Sequence, residues 1–468
     1  MLDVGKEKLQ QIHDHSLELI EDRGICFHSE VAREIWHGAG AEVLNDVVKI
    51  PAHLIESALE KAPESFVLHA RDRQYDLDLG ADMTYYSQDG CAALVYDFET
   101  GERRGSRLED IEKMARISDA LDTIDIVSPT VSGQDAPDGA VAVSELQACF
   151  LNSGKPVVTE SVTSAHDAQA QIDLAAAIVG GKEQLRERPI FCNFVCTISP
   201  LTQDAGGIEA ALEFAAAGVP VGIYPMATTG VTSPVTLAGT MAVVNAEVIS
   251  GLALLQIAEP GAKVFYAGGP ATLDLRTGAY TAASPEALWL RMMVAQMAGF
   301  YGLPSIVGAG ANSAKMPGPQ SGWEDVVSFL LPSMAGASFL FGLGLLDGSN
   351  LLHYEEIVLE AEAAAMVRRL LSGVDFSEEA FALDLIKELG PGGVYLGEAH
   401  TVDHMREALW LPAISDRDSF EDWELKGKPS RVEVARKKVE EILATHQPKP
   451  LSEDVVEAMG EVVVSYAS

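Results

Sequence analysis

Several short apolar runs in the chain end in residues able to do chemistry. Gln88 and Asp89 close "TYYSQDG", Glu160 and Ser161 close "PVVTES", and Asn193 and Phe194 fall in "PIFCNFV". Tyr224 and Met226 belong to "PVGIYPM", and Tyr266, Gly268 and Gly269 to "KVFYAGG". Ala311, Asn312, Ser313 and Lys315 follow "PSIVGAG", and His353 and Tyr354 come after "SFLFGLGLL". Aromatic rings, amides and a few carboxylates dominate this set. Aromatic faces with a carboxylate can hold a quaternary ammonium ion, although aromatics at such places also serve as core filling. No Ser–His–Asp set with a nucleophile elbow is present, and no GxxxxGK[ST] phosphate loop. His400 and His404 have a spacing that can hold a metal, but a plain helix surface accounts for "GEAHTVDHMRE" and no metal site is assigned.

The elements that must carry these residues alternate. The runs at 84–90, 124–130, 156–161, 189–195, 220–226, 263–269, 304–310 and 338–346 are apolar throughout, which predicts strands buried on both faces. Helix-length amphipathic segments separate them, such as "RLEDIEKMARISDAL" (107–121). Eight such units over about 260 residues predict a (β/α)₈ TIM barrel of the α/β class, with catalytic groups where the strands end. An open doubly wound sheet is the runner-up, weakened because the first strand–helix turn lacks a dinucleotide fingerprint. Residues 1–80 read as an N-terminal helical extension, 81–346 as the barrel and 347–468 as a C-terminal helical cap packed on it.

Composition narrows the partners. With 33 basic against 69 acidic residues the formal charge is −36, which disfavours nucleic acid and anionic membrane surfaces. Five cysteines (Cys26, Cys91, Cys149, Cys192, Cys196) without a CxxC read as reduced thiols of a cytoplasmic protein. The stretch "MLDVGKEKLQQIHDHSLELI" has no signal-peptide pattern. Val326 to Leu346 is uncharged, but Pro332, Gly336 and Gly342 interrupt it, so a helix followed by a strand is expected there rather than a membrane span.

Long stretches carry a resemblance: "VVKIPAHLIESALEKAPESFVLHARDR", "SPVTLAGTMAVVNAEVISGLALLQIAEPGAKVFYAGG", "SPEALWL", "YGLPSIVGAGANSAKMPGPQSGWE" and "LLPSMAGASFLFGLGLLD". Through them the chain resembles the trimethylamine–corrinoid protein methyltransferase family over nearly its whole length. The resemblance implies a barrel that moves a methyl group from a methylamine or betaine to Co(I) of a separate corrinoid protein. No cofactor is then expected on this chain, since it has no DxHxxG segment and the cobalamin comes with the partner. Relatives also lead us to expect a symmetric homo-oligomer. In the tertiary-amine members a pyrrolysine follows the seventh strand, before a segment like "SDAKIPDNQAG". Aligned on Ala314 and Lys315, that position is Ala311 here, its acidic neighbour is Ser313, and "PDNQAG" becomes "PGPQSG".

The loss suits a substrate whose nitrogen is permanently charged. A quaternary ammonium leaves as a neutral amine and needs orientation and desolvation rather than an electrophile. The expected substrate is glycine betaine, released as dimethylglycine. Tyr86, Phe194, Tyr224, Tyr266 and Tyr354 are candidates for the onium site, with Glu160 and Asp89 either balancing its charge or capping loops. Asn193, Asn312, Ser313, Lys315 and His353 are candidates for a substrate carboxylate. Two alternatives stand beside this reading. One is the same chemistry on another betaine (proline betaine, carnitine, γ-butyrobetaine) or a tertiary amine. The other is a non-catalytic betaine-binding barrel.

Overall fold

A computed structural model describes residues 3–90 and 92–467. Seven parallel strands pair in the order Tyr85–Gln88, Phe339–Leu343, Ser305–Gly308, Val264–Gly268, Val221–Tyr224, Phe191–Cys196 and Val157–Thr159. Parallel bridges from Ser87 to Ile126 and from Val127 to Val157 close the ring through the "IDIVSPT" segment. The chain is therefore a (β/α)₈ barrel, with its second strand reduced to these bridges. In chain order we refer to the strands as first to eighth.

Side chains alternating inward fill the barrel with Tyr85, Ile126, Val158, Cys192, Phe194, Tyr224, Phe265, Ile306, Phe339 and Phe341. A hairpin of Val67–Leu68 and Leu77–Asp78 adds Phe66, Leu68, Leu77 and Leu79 to the same cluster. Phe66 meets Phe265 edge to face at 5.1 Å, so the hairpin plugs the end at which the strands begin. Chemistry is left to the other end.

Helix Leu237–Ala258, after the fifth strand, is apolar on every side because it is covered on every side. The barrel lies on one flank, and the N-terminal helices Lys6–Asp22 and Ala52–Leu59 lie on the other. It is the one described helix long and apolar enough to cross a membrane, and most of it is buried within the protein. The "VVSFLLPSMAGASFLFGLGLL" region forms helix Pro319–Met334 and then the eighth strand.

The first 80 residues hold more than helices. Ile25–Phe27 pairs antiparallel with Val47–Lys49 and parallel with Thr202–Gln203, tying the extension to the loop after the fourth strand. Helix Tyr354–Leu371, which the sequence places in the cap, follows the eighth strand and packs beside Pro319–Met334, where an eighth barrel helix belongs. Arg431–Thr445 packs on Tyr354–Leu371, and Glu453–Tyr466 returns to Ala165–Val179, where Tyr466 donates to Asp173 at 2.8 Å.

The weak second strand depends on Lys155. This side chain is 3% exposed and its Nζ donates to the carbonyls of Ser118, Leu121 and Ile124 at 2.8, 2.9 and 2.6 Å. It thereby satisfies the end of helix Leu108–Ala120 and anchors the turn into the bridging segment. Burial pulls its pKa down to about 8. Lys155→Met should cost about 3 kcal/mol, because three buried carbonyls lose a charged donor. Urea unfolding with unchanged m-value checks this, and a loss below about 1 kcal/mol would show that water replaces the ammonium.

Candidate functional site

At the carboxyl ends of the strands, the inward positions bring a compact group together. Phe194 stacks on Tyr224 with ring centres 4.4 Å apart, and Phe341 meets Phe194 edge-on at 4.9 Å. Glycine at 269 and 308 makes room for the Tyr224 phenol: a Cβ at either place would lie 2.4 or 2.6 Å from its hydroxyl oxygen. Beyond the rings stand Asp89 after the first strand and Glu160 after the third. Asp89 accepts from the Gly90 amide at 2.8 Å and from the Ser349 hydroxyl. Glu160 is half-buried, 2.6 Å from where a Gly90 Cβ would sit, and its Oε1 has no hydrogen-bond partner.

The opposite sign comes from Arg291, on helix Pro285–Tyr301 after the sixth strand. It is 2% exposed, and its Cζ lies 3.5 Å from the space a Gly308 Cβ would take, beside Tyr224. Its Nε and Nη1 are buried without a partner. A buried guanidinium with unused donors is an anion receptor awaiting its anion. The sequence carried a signal for it: Arg291 is the only charged residue between Glu286 and Lys315.

Electrostatics follow from burial. Burial pushes the Glu160 carboxyl well above the usual carboxylate range, and the neighbouring Asp89 and Glu145 charges push the same way. Cys196, at the end of the fourth strand, is pushed up to about 12 by burial and then by Glu160. The Tyr224 phenol is also raised by burial. Thiol and phenol therefore stay protonated at neutral pH, and neither is an activated nucleophile. Among the described residues of the mouth, this thiol and phenol bind and orient rather than attack.

The remaining sequence-derived candidates lie elsewhere. Tyr86, Asn193 and Tyr266 sit on the opposite face of their strands, toward the helices. Tyr86 meets Phe329 edge-on at 6.0 Å with Arg368 over its ring, Asn193 donates to Thr159, and Tyr266 donates to Asn245 at 2.9 Å. Tyr354 donates to Asp110 at 2.6 Å, and His353 lies 2.8 Å from Glu355 and edge-on to Tyr96. Beyond the seventh strand Ala311 is buried, Asn312 donates to Asp325 at 3.0 Å, and the Ser313 amide donates to Glu324. Lys315 donates to the Ser313 carbonyl and pairs with Asp347. Of the named candidates the structure gathers Phe194, Tyr224, Glu160 and Asp89 at the mouth. His400 and His404 are neighbours on helix Ala399–Ala408. Cys91 lies outside the described residues, and Cys26, Cys149, Cys192 and Cys196 are free thiols.

A buried group of aromatic and charged side chains at the carboxyl end of the parallel strands stands where (β/α)₈-barrel enzymes carry their sites. The trimethylamine methyltransferase (MTTB) family matches residues 2–465, and the chain belongs to it: it is a methyltransferase. It is 32% identical to the trimethylamine methyltransferase MttB of Desulfitobacterium hafniense, over 98% of this chain and 92% of that protein. It is 31% identical to a glycine betaine methyltransferase of the same species, over 97% and 94%. Among solved structures it resembles the monomethylamine methyltransferase MtmB of Methanosarcina barkeri. The TM-score is 0.56 at 16% identity, covering 94% of this chain and 88% of that one, a likeness of fold.

The raised Cys196 thiol has a direct readout. At pH 8 its thiolate fraction should be roughly a thousandfold below that of an ordinary cysteine. Mass spectrometry after brief iodoacetamide treatment should find Cys196 unmodified in the folded protein; alkylation within minutes would contradict the environment described.

Proposed function

We propose that this methyltransferase takes a methyl group from a quaternary ammonium carboxylate, glycine betaine first, for transfer to a corrinoid held by a separate protein, and releases dimethylglycine. The observation that carries the reading is a buried arginine with spare donors beside the Tyr224 ring, at the barrel end that also carries Glu160 and Asp89. Similarity alone does not choose the substrate, because relatives named for trimethylamine and for glycine betaine stand at 32% and 31% identity.

The residues divide the substrate between them. Phe194, Tyr224 and Phe341 offer ring faces and edges to the onium group, a contact worth up to about 2 kcal/mol when desolvated. Glu160 and Asp89 face its charge. Arg291 takes the carboxylate through the donors that nothing in the described protein uses. Held at both ends, the molecule has little freedom left to lose when its methyl is attacked. Ala311 adds no acid or electrophile, and none is needed where the leaving group departs as a neutral amine.

The corrinoid, when presented by its partner, supplies Co(I) as a nucleophile toward the methyl carbon. The surroundings of the well fit such a visitor. Ile198, Met226, Val231, Val235 and Met316 stand exposed on the loops that follow the fourth, fifth and seventh strands, and Trp323 stands exposed in the first turns of helix Pro319–Met334. An apolar rim around a polar well suits a macrocycle laid over it. Exposed Val374, Phe376, Leu396, Leu409 and Leu411 in the C-terminal segment favour a symmetric assembly of the chain.

Donor choice, an arginine variant and pH dependence test this. With the Co(I) corrinoid partner present, glycine betaine should discharge the Co(I) absorbance and trimethylamine should not; carnitine and γ-butyrobetaine separate the other betaines, and binding without any spectral change favours the non-catalytic barrel. Trimethylamine as the best donor would overturn the proposal. Arg291→Gln should raise the KM for betaine roughly 30- to 100-fold, the loss expected for a charge-assisted pair. The third test uses pH. A cation favours ionised Glu160, whose pKa lies high in the free protein. Binding should therefore release a proton and tighten as pH rises from 6 to 8, seen calorimetrically in buffers of different ionisation heat. Glu160→Gln should abolish the proton release.

A further inference from the structure

Beside the mouth, three carboxylates converge from two helices. Asp325 comes from Pro319–Met334, and Glu356 and Glu360 come one turn apart from Tyr354–Leu371. Each offers an oxygen, and these oxygens lie within 4.8 Å of one another. The three side chains are 2%, 1% and 1% exposed. No lysine or arginine pairs with any of them among the described ion pairs, and the neighbouring His353 imidazole already faces Glu355. The donors they do find are few and neutral: Asn312 reaches Asp325 and Glu356, the Ser321 hydroxyl reaches Glu356, and the Gly344 amide reaches Glu360. Glu356 Oε2 and Glu360 Oε1 are buried with no hydrogen-bond partner.

Three buried acids without a counter-cation repel strongly in a medium of low dielectric. A proton shared between Asp325 and Glu356 relieves one charge of the three. A divalent ion relieves two, and the geometry is suited to one. Oxygens bound to one hard cation at 2.0–2.6 Å stand no more than about 5 Å apart, and the three carboxylate oxygens here meet that limit. The donor set is all oxygen, which selects calcium, magnesium or manganese over zinc or copper. A cavity of about 370 Å³ reaches them as well, lined by all three carboxylates together with Met366, Trp410, Ile414 and Arg431.

We propose that Asp325, Glu356 and Glu360 bind one hard divalent cation through this cavity. The ion joins helix Pro319–Met334 to helix Tyr354–Leu371. Through Asn312 and Gly344 it fixes the turns after the seventh and eighth strands, which frame the mouth. It lies to one side of the aromatic well, so its role is to position those turns rather than to touch substrate.

The test uses the full chain, freed of metal by chelator and titrated with Mn²⁺ under electron paramagnetic resonance. About one Mn²⁺ per chain should bind and be displaced by Ca²⁺ or Mg²⁺. Asp325→Asn and Glu360→Gln, near-isosteric changes checked by circular dichroism, should each weaken binding at least tenfold. The cation should also raise the melting temperature of the wild type by more than that of either variant. Absence of binding overturns the proposal, as does equal binding by all three proteins, which would mean loose association with a chain of charge −36. Glu360→Gln stabilising the metal-free protein in a chain that takes up no ion would assign the cluster to protons. Neither amine nor corrinoid enters the measurement, so its failure leaves the proposed function standing.

Discussion

Everything at the mouth depends on the alternation of side chains along parallel strands closed into a ring. Each strand shows every second residue to the interior, so a step of one residue exchanges a binding group for a packing group. Phe194 faces in because Asn193 faces out, and Tyr224 faces in because Ile223 packs outward in the main core. The register between strands, Phe194 opposite Gly222 and Tyr266 opposite Ser305, holds this alternation all round the barrel. Closure then converts it into a layer: one ring of inward residues near the plugged end and another at the open end.

That alternation is also what the sequence conceals. A strand buried on both faces has apolar residues at every position, so the eight strand runs were legible while their inward faces were not. Tyr86 and Tyr266 are as aromatic as Tyr85 and Phe265, and only pairing tells them apart. The same ambiguity hid the thinness of the second strand, where "IDIVSPT" reads like its neighbours but holds by two bridges and Lys155. The eighth helix was counted with the cap because nothing in its composition marks a boundary between the two. The small sheet of the extension escaped because strands such as Ile25–Phe27 are too short for a periodic pattern.

Long-range charge placement was legible in a different way. Arg291 stands alone in a run otherwise free of charge, and so does Glu145 within its helix. A lone charge in an apolar helix has two explanations, exposure at the surface or burial for a purpose, and burial decides for the second here. Asp325, Glu356 and Glu360 carry no such mark, because Glu324, Glu355 and Glu362 beside them read as an ordinary solvated face. Only folding shows that one side of that acidic stretch turns inward.

Burying charge of both signs within one well is costly in the empty protein, and the two halves do not cancel each other. Arg291 keeps unpaired donors although Asp89 and Glu160 stand across the same rings. Had the carboxylates closed onto the arginine, the well would have been satisfied and of no use. Under the proposed function, the two signs are relieved together by a molecule that carries both. Under that proposal a simple amine would answer the carboxylates and leave the guanidinium unpaired, and leaving a buried group unsatisfied is the stronger form of discrimination. On this account selectivity against amines without a carboxylate resides in Arg291. In the same proposal a permanently charged nitrogen, which would make an activating residue at position 311 unnecessary, is recognised by the rings and carboxylates.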